Sequence, residues 1–158
     1  MSHVTHPCRT ATSQQGSVLL EGLISILIFS FGILAIAGLQ GTTINTSRDA
    51  KFRNDAAFLA NQMSGYVWTD RNNGGTNNIA AYGFNAGAAT CAAGAAAPGA
   101  PANLVSWLAD VAATLPQATA NRQRIVVGAN NLVTITVCWR SPQDATYHSH
   151  TVTTQING

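Results

Sequence analysis

The stretch from Gly16 to Leu39 reads GSVLLEGLISILIFSFGILAIAGL, and the rest of the chain is interpreted from it. Glu21 is the one charged residue between Arg9 and Arg48. Residues 17–39 would form a helix of about 34 Å, longer than the roughly 30 Å hydrocarbon core of a bilayer. A carboxylate near the start of such a helix costs a few kcal/mol in lipid. The stretch therefore predicts a transmembrane helix with one acid that requires a partner.

The residues before this helix indicate how it is processed. Residues 1–16, MSHVTHPCRTATSQQG, are polar and end in Gly16, and cleavage there would place a new α-amino group on Ser17, four residues before Glu21. This order resembles the type IV prepilin signal. The resemblance implies that a membrane peptidase removes the leader and N-methylates the new first residue. It also implies that Glu21 neutralises the terminal amine of a neighbouring subunit. Members of the family usually have Phe or Met where this chain has Ser17, so N-methylation is left open.

An ordinary secretory signal is the main alternative. Such a signal is cut after its apolar segment, and Ala35-Ile36-Ala37 before Gly38 offers a small-x-small site. Two features oppose this alternative, namely the acid near the start of the segment and an apolar run longer than the usual 7–15 residues or so. An uncleaved signal anchor also remains open.

Composition limits the classes of function. Removing 16 of the 158 residues would leave 142, enough for one small domain and its helix. Charged residues make up 9% of the chain, whereas a soluble protein averages about 25%. So few charged residues do not indicate a basic surface for nucleic acid. A low charge content suits a subunit that buries much of its surface against neighbours.

The cysteine count adds a prediction that depends on the cleavage. Cys8 would leave with the leader, so that Cys91 and Cys138 form the one possible pair. In an oxidising periplasm we expect a disulfide, which closes a loop of about 48 residues and stabilises by roughly 4 kcal/mol. Two buried free thiols are the alternative.

The helix is expected to continue beyond the membrane, from Ser17 to about Trp68. Apolar residues recur there at a spacing of three to four, as an amphipathic stripe: Phe52, Ala56, Leu59, Met63 and Tyr66. Arg71–Gly75 supplies the turn that ends the helix. Residues 79–102 then predict a long loop with Cys91 as its one anchor. A second helix is expected from Asn103, as its cap, to Leu115, with Pro116 as the stop.

The rest of the chain predicts antiparallel strands. Residues 124–127 and 132–139 flank the turn sequence Gly128–Asn131, and a third strand is expected over 147–156. In the second strand the core face is expected to consist of Val133, Ile135, Val137 and Trp139, which places Cys138 on the opposite face. The predicted class is α+β, with the sheet packed on the long helix.

This order of elements resembles the pilin fold. The Trp-containing helix that ends in Leu-Pro (107–116) and the strand VTITVCWR (133–140) resemble PilV-type minor pilins. The resemblance implies three parts: a cleaved leader (1–16), a transmembrane and assembly half of the helix (17–40), and a head (41–158) that includes the amphipathic half.

The sequence predicts no catalytic residues, cofactor or metal. It contains no Gly-x-Ser-x-Gly, no phosphate loop and no Cys-x-x-Cys. His148 and His150 could share a metal, but no third ligand has a suitable spacing, and an exposed polar strand face is the preferred interpretation. For Trp107 and Trp139, buried packing is preferred over a binding platform.

The resemblance implies a minor pilin, a structural subunit for the assembly or tip of a type IV pilus, and not an enzyme. Its expected partners are the prepilin peptidase and other minor and major pilins, with no nucleic acid. The chain would cross the inner membrane once, with its head in the periplasm, and would then join a pilus on the cell surface. The alternatives are a pseudopilin of a type II secretion system, or a signal-anchored or secreted domain that binds a ligand through its Trp-bearing sheet.

Overall fold

The computed structural model of the protein describes residues 15–72, 78–95 and 99–157. Within these ranges the chain forms an α+β fold, as predicted. Its elements are the helices α1 (Gln15–Asp70) and α2 (Ala102–Thr114) and the strands β1 (Arg124–Val127), β2 (Leu132–Trp139) and β3 (His148–Gln155). Short 3₁₀ turns lie at Ile79–Tyr82, Ala120–Arg122 and Ala129–Asn131.

The chain divides into two compact units, one that ends at Asn45 and one that begins at Thr46. The first unit contains the apolar part of α1. The second contains the rest of α1, the helix α2 and the three strands. Of the predicted leader, residues 1–14 lie outside the described residues.

The amphipathic stripe on α1 forms one wall of the core in the second unit. Ala56, Leu59 and Met63 are buried as predicted, and Phe52 and Tyr66 pack partly buried against the same cluster. Spacings of three and four residues return to one face of a helix, so this stripe meets the rest of the core together. The helix ends at Asp70; the predicted turn at Arg71 follows, although its residues Asn73–Gly75 lie outside the described residues.

The sheet is antiparallel in the order β1-β2-β3, with β2 in the centre. Strands β1 and β2 have the predicted bounds, and β3 is one residue shorter at each end than expected. The hairpin turn places Asn130 and Asn131 at φ 54° and 55°. Asn tolerates this left-handed conformation better than most residues do, which explains its use here. The core face of β2 is the predicted one, since Val133, Ile135, Val137 and Trp139 are all buried.

The ends of α2 differ from the prediction. Pro101 occupies the capping position and no side chain caps the helix, so the expected capping role of Asn103 is wrong. The carbonyl of Pro101 instead accepts the main-chain N–H groups of Leu104 and Val105. Leu115 is buried but extended, because a residue that precedes proline is driven out of the helical region.

The segment after α1 is also more ordered than predicted. Ile79, Tyr82 and Phe84 are buried in the core, and Phe84 forms a two-way main-chain bridge with Ile125 of β1 (2.9 and 2.8 Å). The expectation that Cys91 is the one anchor of this loop is therefore wrong. Aromatic and branched side chains among many alanines and glycines provide the additional anchors.

Candidate functional site

The predicted processing residues lie in the first two turns of α1. Gly16, Ser17 and Glu21 are all exposed, and a Cβ added at Gly16 would meet nothing within 4 Å. Ser17 and Glu21 are four residues apart, so they lie one above the other on the same face of the helix. The fold thus places both residues on one accessible face.

The segment around Glu21 exposes apolar side chains in all directions. Every Val, Leu, Ile and Phe from Val18 to Leu39 is at least half exposed, from 50% for Ile24 to 72% for Leu19. This part of α1 has a mean hydropathy of 2.5 and makes the helix long and apolar enough to cross a membrane. An apolar surface of this extent requires lipid or protein to cover it.

Polar groups inside this segment are satisfied by the helix itself. Ser30 Oγ donates to the carbonyl of Ile26 (2.7 Å), and Thr43 Oγ1 donates to that of Leu39 (3.0 Å). Hydroxyl groups that bond back to the preceding turn carry little cost in an apolar surrounding. Glu21 cannot bond back in this way, because an ionised carboxylate has no proton to donate to a carbonyl and instead needs a donor or a cation.

The predicted disulfide is present between Cys91 and Cys138, with Cα atoms 5.5 Å apart. Cys138 lies on the face of β2 opposite to the core, as expected, and is covered by the loop that carries Cys91. Cys91 has a φ of 60°, and its carbonyl accepts a hydrogen bond from Arg122 Nη1 (2.8 Å). The bridge therefore joins the loop to the outer face of the sheet.

Further polar contacts hold this loop along its length. Asn85 Nδ2 donates to the carbonyls of Asn121 (2.8 Å) and Gln123 (2.9 Å), and the N–H of Gly94 donates to Asn121 (2.8 Å). A Cβ on Gly94 would clash with the side-chain amide of Asn85, which its two hydrogen bonds hold in place, so glycine is favoured at this close approach. None of these contacts has a recognisable signal in the sequence.

The two histidines of β3 do not form a metal centre within the described ranges. His148 Nε2 lies 2.7 Å from Asp144 Oδ2, and its ring lies 5.8 Å from that of Trp139. His148 and His150 are partly buried on the same face as Val152, so this face is less exposed than predicted. No group of three metal-binding side chains occurs in the part of the chain that the structure describes.

The two tryptophans considered as a binding platform, Trp107 and Trp139, are packed inside the second unit. Trp107 is fully buried and donates Nε1–H to the carbonyl of Leu59 (2.8 Å), and Trp139 is 3% exposed. Neither indole presents a face on which a ligand could stack, in agreement with the preferred interpretation.

Tyr82 links the end of α1 to the loop. Its hydroxyl donates to Asp70 Oδ2 (2.9 Å) and also contacts the side chain of Asn103. Burial raises the pKa of Tyr82 above its usual 10.0, and the bond to the Asp70 carboxylate raises it further. Asn103, expected to cap α2, takes part in this contact instead.

One cluster was not predicted from the sequence. The guanidinium carbons of Arg122 and Arg140 lie 4.4 and 5.1 Å from the ring centre of Tyr147. We call these three residues the two-arginine cluster. They come from three separate segments, so no local spacing could have indicated their association.

The chain matches no protein-family model, no curated protein and no solved structure.

Proposed function

We propose that the chain is a minor pilin, a structural subunit for the assembly or tip of a type IV pilus, without catalytic activity. The observation that carries the proposal is the position of Glu21. It is the single charge in the exposed apolar segment of α1, residues 16–39, and the fifth residue after Gly16. The resemblance to a prepilin signal gives each of these residues a role.

The exposed apolar segment is suited to two environments, one before assembly and one after it. Before assembly, lipid of the inner membrane would cover side chains such as Leu19 and Leu34, which are 72% and 71% exposed. After assembly, the helices of neighbouring major and minor pilins would cover the same surface. Because lipid and protein both exclude water, either environment removes the cost of this surface.

The free energy of the Glu21 carboxylate differs between these two environments. In lipid it has no partner and costs a few kcal/mol, whereas a neighbouring subunit brings an α-amino group created by cleavage before Ser17. The pairing of carboxylate and amine therefore favours the assembled state over the free subunit. The prepilin peptidase would create this amine, and methylation of Ser17 would leave its charge in place.

Two properties of the second unit support its assignment as a head in the periplasm. The bridge between Cys91 and Cys138 requires an oxidising compartment for its formation, and the periplasm is one. A low charge content suits a head that makes contacts with neighbouring heads over much of its surface. The head would then remain exposed on the pilus at the cell surface.

The intact mass of the mature protein tests this proposal. A prepilin peptidase would leave a chain that begins at Ser17, with or without one methyl group. A secretory signal peptidase would leave a chain that begins at Gly38, and a signal anchor would leave the chain uncut. Either of these two masses would contradict the assignment.

Two matched variants sharpen the experiment. Gly16→Leu should leave the precursor uncut, because the peptidase requires a small residue at the cleavage site. Ala37→Leu, in the same helix, should mature normally, although it would block a secretory cut before Gly38. The reverse pattern would reject the pilin assignment. Recovery of the mature chain in sheared pili then separates a pilus subunit from a pseudopilin of a type II secretion system.

A further inference from the structure

The two-arginine cluster is held in place by neutral groups. Arg122 Nη1 donates to the carbonyl of Cys91 (2.8 Å), a residue fixed by its disulfide. Arg140 Nε donates to Gln117 Oε1 (2.7 Å), and its Nη2 donates to the same oxygen. The Tyr147 ring contacts both cations. Both arginines are half-buried and already ordered, so a ligand would not have to immobilise them.

The charges of the cluster are not neutralised within the described ranges. No carboxylate oxygen there lies within 4.0 Å of either guanidinium group. Asp144, the acid of the same connection between β2 and β3, is instead bonded to His148. Both guanidinium carbons lie within 5.1 Å of the same ring centre, so two positive charges share one small region of the second unit, which favours an anion there.

Most of the hydrogen-bond donors of the cluster remain available. A guanidinium group has five N–H donors, of which Arg122 uses one and Arg140 uses two in contacts within the described residues. Arg71 and Arg124 each have a buried Nε without a partner, but no nitrogen of Arg122 or Arg140 is in that situation. The unused donors of the cluster are therefore not sealed in the interior, and both arginine side chains are partly exposed, so an anion can reach them.

We infer that the two-arginine cluster is a binding site for a phosphate group. The planar fork of a guanidinium matches two oxygens of a phosphate or a carboxylate. A phosphate has enough oxygens to engage both forks at once, and its charge can balance two cations, whereas a carboxylate balances one. Two arginines are too few for the backbone of a nucleic acid. The phosphate would come from solution or from a lipid headgroup.

The side-chain Nε–H resonances of arginine in the full chain test this inference. In detergent and phosphate-free buffer, added inorganic phosphate should shift the resonances of Arg122 and Arg140 along one common saturation curve. Potassium chloride at equal ionic strength should shift neither. Nanodiscs of phosphatidylcholine with and without phosphatidylglycerol test the lipid source, since a headgroup ligand would shift both resonances without added phosphate.

Variants separate binding from structure. Arg122→Gln should weaken phosphate binding at Arg140 by about tenfold, because one charge-assisted donor set is lost. Arg140→Gln should weaken binding at Arg122 to the same extent, and it leaves the contact with Cys91 intact. The matched control is Arg124→Gln, which removes an arginine that also donates to a loop carbonyl, that of Ala86. It should bind phosphate normally. Absence of a shift with both phosphate sources, an equal shift with chloride, or unchanged binding in both cluster variants would overturn the inference.

Discussion

Gln123 lies just before β1. Its fully buried side chain forms hydrogen bonds to β2 of the kind that the main chain of a neighbouring strand usually forms. Its Oε1 accepts the N–H of Cys138 (2.8 Å), and its Nε2 donates to the carbonyls of Cys138 (3.0 Å) and Thr119 (3.1 Å). A side-chain amide has one acceptor and two donors, so it can satisfy both main-chain groups of Cys138. The position of the disulfide on β2 thus depends on this amide.

We expect Gln123→Leu to destabilise the head by about 3 kcal/mol. The side chain keeps its approximate volume, but both main-chain groups of Cys138 lose their buried partner, at roughly 1–3 kcal/mol each. Urea unfolding of the full chain in mild detergent, followed by near-ultraviolet circular dichroism of the tryptophans, measures the change. The control is Gln143→Leu, at an exposed position, which should change stability by less than about 0.5 kcal/mol. Equal losses in the two variants would contradict this role of Gln123.

Because of Tyr82, we expect the stability of the head to fall as the pH rises in the alkaline range. Because burial and Asp70 raise the pKa of its folded form, the unfolded chain releases this proton first. The contribution is present below the unfolded pKa of about 10 and is lost as the pH rises through the folded value. Tyr82→Phe should therefore lower stability at neutral pH but flatten its decline above about pH 10. An equally steep alkaline decline in Tyr82→Phe would show that another group is responsible.

The loop between α1 and α2 shows how one element can have two independent anchors. Phe84 is tied to β1 by main-chain bonds, whereas Cys91 is tied to β2 by the disulfide. The entropic stabilisation by a bridge resides largely in the unfolded chain, so it does not require the bridge to be the sole anchor in the folded one.

Reduction of the disulfide should therefore loosen one end of the loop and leave the other in place. In hydrogen exchange on the full chain, the amides of Ala92 and Gly94 should lose protection, since their bonds depend on the turn around Cys91. The amides of Phe84 and Ile125 should remain protected. The double variant Cys91→Ser/Cys138→Ser should match the reduced wild type. Simultaneous loss of protection at both ends would restore Cys91 as the main anchor.

The molecule combines an apolar helical segment in the unit that ends at Asn45 with a compact unit that begins at Thr46. The compact unit buries its apolar residues by itself, whereas the first segment does not bury any of its large apolar side chains. The first segment therefore requires lipid or protein around it to cover its apolar surface.

Glu21→Ala should consequently affect assembly and not insertion. The variant should enter the membrane and be cleaved after Gly16, because removal of a charge favours lipid. Its recovery in sheared pili should fall, since the terminal amine of the neighbouring subunit loses its partner. Glu21→Asp retains the charge and serves as the control, with recovery closer to wild type. Undiminished incorporation of Glu21→Ala would reject the proposed pairing.

Features with a short period could be predicted from the sequence alone. The α1 stripe around Leu59 and Met63 follows the helical repeat, and the alternation of Val133, Ile135 and Val137 follows the strand repeat. Gly128–Asn131 has residues typical of a turn, so the end of β1 and the start of β2 could be predicted on either side of it. These patterns are local because each helix or strand selects its buried residues by its own geometry. The exposed apolar segment around Glu21 was recognisable by composition and length instead, because its apolar run is long enough to cross a bilayer.

Only the tertiary structure decided where residues far apart in the chain meet. Phe84 finds Ile125, Asn103 reaches Tyr82 instead of capping α2, and His148 is half-buried beside Trp139. The cysteine count named the pair Cys91 and Cys138, but the fold brought their Cα atoms to 5.5 Å. The two-arginine cluster was hidden altogether. Such contacts depend on how the chain closes over the sheet, and no local propensity encodes the distance between residues that loops bring together.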